Sequence, residues 1–310
     1  MSENWKQGVS RVMDKPKVGF IGLGTMGRPM AANILAAGYY LVVHSRTRAK
    51  AESLLDQGAN WADSPAEVAS RSEVVITMLP DSPDVWSVAT GEKGILQGAS
   101  QGLVFVDMST ISPDTARRLA SQCEQVGVEF LDAPVTGGEV GAVNATLSVM
   151  VGGPVETLAK VRPILECLGK QITHMGGHGA GQTAKLCNQI ICALNILACC
   201  EGLSLAASTG LDLKKLLGAI QNGAAGSWML SNLAPKMLES DWSPGFRIAL
   251  QAKDLRLALE SAERENVPLA GTALTHQLFK AAQAMGFGDE GTQALFKTIR
   301  LLSGSASNSI

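Results

Sequence analysis

At 310 residues, 46% hydrophobic and with a formal charge of −2, the chain is long enough for two domains with substantial cores. Near charge balance, with no dense Lys/Arg run, excludes the usual footprint of a nucleic-acid or anionic-membrane partner and leaves a small molecule as the expected ligand. The leader MSENWKQGVSRVMDKPK lacks an apolar core, and the oily run after Lys185 is broken by Asn188, Gln189, Asn195 and Glu201, so a soluble, cytoplasmic protein is expected.

From Lys17 to about Thr173, the runs KVGFIG, YYLVVH, EVVITML, LVFVDM, VEFLDAPV, LSVMVGG and KQITHM alternate with amphipathic stretches, the pattern of a parallel, doubly wound α/β sheet. The first of these leads into VGFIGLGTMGRPMAANILAAG, where Gly22, Gly24 and Gly27 have GxGxxG spacing between a strand and a helix. The glycines allow a tight turn, close approach of the backbone to a pyrophosphate and tight helix packing, while the helix N-terminus stabilises the phosphate charge. Leu23 and Met26 lie in the same loop, so Gly22, Leu23, Gly24, Met26 and Gly27 form the expected dinucleotide cradle.

The second strand ends in HSRTRAK, where an NAD-binding protein would usually offer Asp or Glu to the ribose. Here Ser45, Arg46 and Thr47 stand instead, and a guanidinium with neighbouring hydroxyls suits a 2′-phosphate, favouring NADP with NAD as the alternative. The competing reading makes Arg46, Arg48 and Lys50 a solvated helix start, and His44 reads as structural.

After GGHGAG the β-like runs stop, and breaks at TGLDL, NGAAGS, DWSPGF, ENVPLAG and MGFGDEG separate successive helices. The expected architecture is an NADP-binding Rossmann-type domain over 16–178 and an all-helical C-terminal domain over 179–302. A long helix from Gly181 to about Thr209 joins them, roughly 43 Å at 1.5 Å per residue. Both chain ends, up to about Lys15 and from SGSASNSI onward, read as frayed. Six cysteines occur without a CxxC; Cys187, Cys192, Cys199 and Cys200 fall in the long helix and are expected to pack as small hydrophobes. His174 and His178 are separated by Gly176 and Gly177, so no metal site is assigned.

Seven blocks in order, GFIGLGTMGRPMAANI, ITMLPDSPDV, VDMSTISP, FLDAPVTGGE, TLSVMVGG, GAGQTAKLCNQ and PGFRIALQAKDL, resemble the β-hydroxyacid dehydrogenase family over nearly the whole chain. The runs DAPVTGGEVGAVNATLSVMVGG and ALNILACCEGLSLA are most similar to its branch that reduces tartronate semialdehyde to glycerate. Other branches act on 3-hydroxyisobutyrate, succinic semialdehyde or glyoxylate. The resemblance implies a reductase of a small carboxylate-bearing semialdehyde, assembled as a homodimer or homotetramer.

It also implies roles. Leu79 and Pro80 would line the cofactor and Thr110 would sit near the nicotinamide ribose, although Ser109 or Ser112 in the same stretch could simply cap a helix. Thr136 hydroxyl and the backbone of Gly137 and Gly138 would hold the substrate carboxylate. The family usually has Ser where Thr136 stands, and the extra methyl narrows the pocket. Lys185 matches the catalytic lysine, with Asn188 on the same helical face as its support. Many relatives carry Asn four residues after the lysine, where this chain has Gln189. Lys253 would stand near the nicotinamide or its phosphates and Phe246 would wall the pocket. Trp228 reads as a pocket wall or as a buried aromatic anchor. A noncatalytic dinucleotide-binding sensor is the contrasting reading, and Lys185 argues against it.

Overall fold

The computed structural model describes residues 15–304, so the frayed ends expected from the sequence lie almost wholly outside the described residues. Strands β1 (Val18–Ile21), β2 (Leu41–His44), β3 (Asn60–Trp61), β4 (Val74–Thr77), β5 (Val104–Asp107) and β6 (Glu129–Asp132) run parallel in the order β3-β2-β1-β4-β5-β6. This is a Rossmann-type order, reversing between β1 and β4 and leaving a crevice at the strands' carboxyl ends. Alternate residues feed opposite faces: Phe20, Val43, Ile76 and Val106 enter one core, and Ile21, Val42, Val75 and Phe105 the other. Burial on both sides explains why these strands read as unbroken apolar runs.

Helices α1 (Gly27–Ala36), α2 (Glu52–Leu55), α3 (Pro65–Ser70), α4 (Ser82–Thr90), α5 (Ile95–Gly98) and α6 (Pro113–Gln125) fill the connections. Ser64, Asp81 and Ser112 cap α3, α4 and α6, each with a proline in the first turn. Ser112, not Ser109, is therefore the cap before Pro113.

Beyond β6 the sheet departs from the expected parallel pattern. The chain makes β7 (Val135–Thr136), a short α7 (Gly138–Val143) and β8 (Leu147–Gly152), and β8 runs antiparallel to both β6 and β7. A parallel return needs a crossover long enough to recross the sheet, and α7 has only 6 residues. After α8 (Val155–Leu165), β9 (Gly169–Gly176) pairs parallel with β8.

Then the helices take over, as the Gly, Pro and Asn breaks predict. They are α9 (Ala180–Ser208), α10 (Leu213–Ile220), α11 (Trp228–Asn232), α12 (Ala234–Leu238), α13 (Ile248–Arg264), α14 (Ala270–Ala284) and α15 (Leu295–Leu302). The α9 helix spans 29 residues and is long and apolar enough to cross a membrane by length and composition. Its Ala193, Ile196, Leu197, Cys199, Cys200 and Leu203 nevertheless build the second core with Phe279 of α14 and Leu295 and Phe296 of α15. It is the core helix of the helical half.

A buried carboxylate fixes where α9 begins. Asp132, at the carboxyl end of β6, accepts the backbone N–H groups of Gly179 (2.7 Å) and Gln182 (2.9 Å), two donors that a helix start leaves without intrahelical partners. Gly179 sits at φ +86°, and a side chain there would meet Pro113 O and Arg117 Nη1 at 3.0 Å. At Gly181 a Cβ would lie 2.5 Å from Met150 O, so only glycine lets the helix approach the sheet this closely.

Burial pushes the Asp132 carboxyl up to about 6 against the pull of these N–H groups. Because the folded form binds the proton more tightly than the unfolded chain, stability falls as pH rises from about 4 to about 6, by about 3 kcal/mol from this group. Asp107 is shifted in the same direction, chiefly by burial. Asp132→Asn should therefore shrink, without abolishing, the stability lost across that window. Denaturant midpoints at pH 4.5 and 7.5 check it, and an unchanged slope in the variant would contradict the assignment.

Candidate active site

The glycine loop after β1 divides its glycines by function. A Cβ on Gly27 would fall 1.9 Å from Gly22 O, and one on Gly22, at φ +102°, 2.3 Å from Met78 O, so both are required by the protein's own packing. A Cβ on Gly24 would meet nothing within 4 Å. The middle glycine thus faces open space at the N-terminal end of α1, which fits a pyrophosphate held against bare backbone. The Leu23 side chain is in the core and Met26 packs against it. Leu79 reaches under Gly22, its Cδ2 2.9 Å from the Cβ position, while Pro80 is exposed beside it.

At the end of β2, Ser45 is half-buried and Arg46 and Thr47 are exposed. The Arg46 side chain is 83% exposed and stands 3.6 Å from Asp84, a carboxylate that any anion at Arg46 would have to outcompete. His44 Nδ1–H donates to Ala62 O at 2.9 Å and the ring lies tilted against Trp61, as a structural residue would.

The STIS loop after β5 is held tightly. Buried Asp107 accepts hydrogen bonds from Thr77 Oγ1 and Ser109 Oγ, both at 2.6 Å, and Ser109 Oγ in turn accepts from the Leu79 N–H at 2.8 Å. Thr110 is half-buried, and its carbonyl accepts from Lys253 Nζ at 2.6 Å.

Lys185 is 7% exposed, in the second turn of α9. It is not the solvated first-turn residue that its charge alone would suggest. Burial lowers its pKa from the usual lysine range, partly opposed by the charge of Asp254. Its Nζ donates to Gln189 Oε1 at 3.2 Å, one helical turn on. Asn188 Nδ2 donates to the same oxygen at 2.9 Å, so Asn188 reaches Lys185 only through Gln189. Gln189 Nε2 donates to Asp254 Oδ2 at 2.6 Å, and Asp254 pairs with Lys253 at 2.7 Å. A carboxylate accepts only, so the Gln189 amide nitrogen must point to Asp254 and its oxygen to Lys185. An unbroken chain runs from Lys185 through Gln189, Asp254 and Lys253 to the Thr110 carbonyl.

Thr136 is half-buried on β7, and Gly137 and Gly138 follow at φ +131° and +63°. A Cβ on Gly138 would lie 3.9 Å from Gly245 O, which brings the PGF segment and half-buried Phe246 to this loop. Trp228 is 65% exposed at the start of α11, so its reading as a buried anchor is corrected. Ser227, directly before it, caps α11. His174 and His178 each bond a backbone carbonyl, of Gly153 and Phe130. Among the described residues no group of three His, Cys, Asp or Glu side chains could hold a metal ion.

Gln182, Gln189 and Asp254 were not singled out as site residues from sequence. Their signal was present but weak: buried polar side chains on helices look like surface ones until the packing partner is known. Nor did the sequence reveal the cross-domain pair of Arg256 with Asp81 at 2.6 Å, or that of Arg264 with Asp114.

Two family models divide the chain. Residues 17–177 match the NAD binding domain of 6-phosphogluconate dehydrogenase, and residues 179–299 match the NAD-binding domain of NADP-dependent 3-hydroxyisobutyrate dehydrogenase. The 2-hydroxy-3-oxopropionate reductase of Escherichia coli is 42% identical over 92% of this chain and 98% of its own length. The chain belongs to the β-hydroxyacid dehydrogenase family. The solved Mycobacterium tuberculosis 3-hydroxyisobutyrate dehydrogenase with L-serine superposes at a TM-score of 0.85, with 34% identity, over 92% of this chain and 99% of that one. A further structure, Psf3 in complex with NADP+ and 2-OPP, superposes at 0.82 with 30% identity over 91% and 99%. The protein is an NAD(P)-dependent hydroxyacid dehydrogenase, an oxidoreductase acting on a CH–OH group.

The two loop glycines should separate experimentally. Gly24→Ala should leave the melting temperature unchanged and weaken dinucleotide binding by about tenfold or more, roughly 1.4 kcal/mol. Gly27→Ala should lower the melting temperature outright. Thermal scans and calorimetric titration with NADPH check both, and equal destabilisation by the two substitutions would contradict the division.

Proposed function

We propose that the protein is an NADPH-preferring reductase of a small carboxylate-bearing semialdehyde, with tartronate semialdehyde reduced to glycerate as the leading reaction. The observation that carries this is Lys185, a buried ammonium whose proton is loosened by burial and whose position is set by the Gln189–Asp254 bond. Tartronate semialdehyde is the compound that the Escherichia coli relative's name calls 2-hydroxy-3-oxopropionate. The reading of 3-hydroxyisobutyrate as substrate rests on the Mycobacterium tuberculosis structure and uses the same lysine.

In this reading Gly22, Gly24 and Gly27 with Leu79, Pro80 and Thr110 hold the dinucleotide, and Ser45, Arg46 and Thr47 take the 2′-phosphate. The reduced nicotinamide, when bound, supplies hydride to the aldehyde carbon. Thr136 Oγ1 and the N–H groups of Gly137 and Gly138 grip the substrate carboxylate, with Phe246 closing the pocket. Lys185 then faces the aldehyde oxygen. One of its N–H groups is engaged by Gln189, leaving the others to bond that oxygen and pass it a proton as negative charge develops. In the reverse direction the neutral amine takes the alcohol proton. Lys253, beside the nicotinamide or its phosphates in this reading, also anchors the Thr110 segment.

Assembly as a homodimer or homotetramer belongs to the same proposal. Ile191 and Leu205 of α9 and Leu274 of α14 are 61%, 69% and 59% exposed, an apolar face that a second copy would cover.

Lys185→Ala should lower kcat for tartronate semialdehyde reduction by at least about a thousandfold while NADPH affinity, measured by fluorescence titration, stays within about twofold. Turnover at the wild-type rate would refute the lysine's role. Arg46→Ala should raise KM for NADPH by about tenfold and leave KM for NADH unchanged. Equal efficiency with the two cofactors in the parent protein would refute the NADP preference.

A further inference from the structure

We infer that Gln182 is a positioning residue for the reaction: its side-chain amide clamps the peptide groups on both sides of Thr110 and so fixes the cofactor-facing loop to the helix that carries Lys185. The inference rests on the reading of Lys185 as proton donor and of Thr110 as a neighbour of the nicotinamide ribose.

Gln182 is fully buried, three residues before Lys185 on α9. Its Nε2 donates to Ser109 O at 2.9 Å and its Oε1 accepts from the Ile111 N–H at 3.0 Å. One side-chain amide thus satisfies the carbonyl before Thr110 and the N–H after it, as a neighbouring strand would. Its own backbone N–H is held by Asp132. Ser109 is in turn bound to Asp107 and to the Leu79 N–H, so the clamp extends to the loop beneath the first glycine. On the far side of Thr110, its carbonyl takes the Lys253 bond, which continues through Asp254 and Gln189 to Lys185. The STIS segment is therefore tied to α9 by two independent routes, one through Gln182 before the lysine and one through Gln189 after it.

The consequence is geometric. Hydride donor and proton donor must address the same carbonyl group from two different domains, and the distance between their supports is set by these bonds. Removing the Gln182 amide leaves the Ser109 carbonyl and the Ile111 N–H buried without their partner, and the loop can relieve that only by shifting. A shift of about 1 Å costs on the order of a hundredfold in rate. Cofactor affinity, spread over the glycine loop and the end of β2 with Thr110 as one contact among several, should change far less than kcat.

Two variants test this. Gln182→Met keeps the length and removes both hydrogen bonds; Gln182→Glu keeps both while the acid is neutral, its O–H donating to Ser109 O and its C=O accepting from Ile111, and loses the donor on ionisation. The titratable groups around position 182 are Asp132 on β6, Asp107 on β5 through Ser109, Lys185 on the same helix, and Lys253 of α13 through Thr110. All of them remain in both variants, so the difference between the two reports the introduced carboxyl.

The expected result has three parts. Gln182→Met lowers kcat on the order of a hundredfold at every pH, with Kd for NADPH raised by less than about tenfold through the Thr110 contact alone. Gln182→Glu retains near-wild-type kcat at low pH and falls to the Met level as pH rises. In the cofactor-free protein, hydrogen exchange at the Ile111 amide accelerates at least about tenfold in Gln182→Met, while core amides of β1 and β4 stay protected. Equal kcat and equal Ile111 exchange in wild type and Gln182→Met would overturn the clamp, as would identical pH profiles for the Met and Glu variants. If the exchange result holds and no hydroxyacid is turned over by the parent protein, the failure lies in the proposed reaction and not in the clamp.

Discussion

The interaction on which the site depends is the carboxylate of Asp132 held against the first turn of α9. A 29-residue helix packed mainly in the helical half has no intrinsic reason to place its N-terminus at a particular spot on the sheet. Two N–H groups on one buried carboxylate, with Gly179 and Gly181 removing the side chains that would keep helix and sheet apart, supply that reason. Asp132 and Asp107 are register partners on adjacent strands. One anchors the helix and the other anchors the loop after β5, so helix and loop share a common base. Every later feature, including the depth of Lys185 and the reach of Lys253, is measured from there.

Lys185 shows how a long apolar helix can carry an ionisable group. A buried ammonium is tolerated when it is hydrogen-bonded and when an opposite charge lies nearby; here Gln189 supplies the bond and Asp254 the charge. The Gln189 amide is oriented by its partners, since Asp254 can only accept. The residue that breaks the common family pattern is therefore the hub of the network. Asn188, which the sequence put forward as the supporting amide, contributes through it.

What was legible in the sequence was whatever is written in local periodicity and turn chemistry. The apolar runs marked β1, β2, β4, β5, β6, β8 and β9, and the glycine, proline and asparagine breaks marked the helical half. GxGxxG spacing marked the loop, although which glycine faces open space is a tertiary fact. The two-residue β3 and β7 were too short to read, and the antiparallel direction of β8 was not legible, because strand direction at the sheet's edge is decided by the length of the connection and by the neighbour available. Gln182 and Asp254 were unreadable for a related reason. A glutamine or aspartate on a helix is unremarkable until the backbone group or ion it meets, some 70 residues away for Gln182 and Ser109, is in place.

Proton transfer by Lys185 turns on one quantity, its acidity in the folded protein. The most direct measurement is an NMR titration of the Lys185 side chain in the cofactor-free enzyme, using 13C-labelled lysine assigned by comparison with Lys185→Met. The expected result is a single transition for that resonance below the usual lysine range, moving further down in Asp254→Asn as the nearby negative charge is lost. A transition at or above the ordinary value of 10.5, unmoved by the Asp254 substitution, would contradict it.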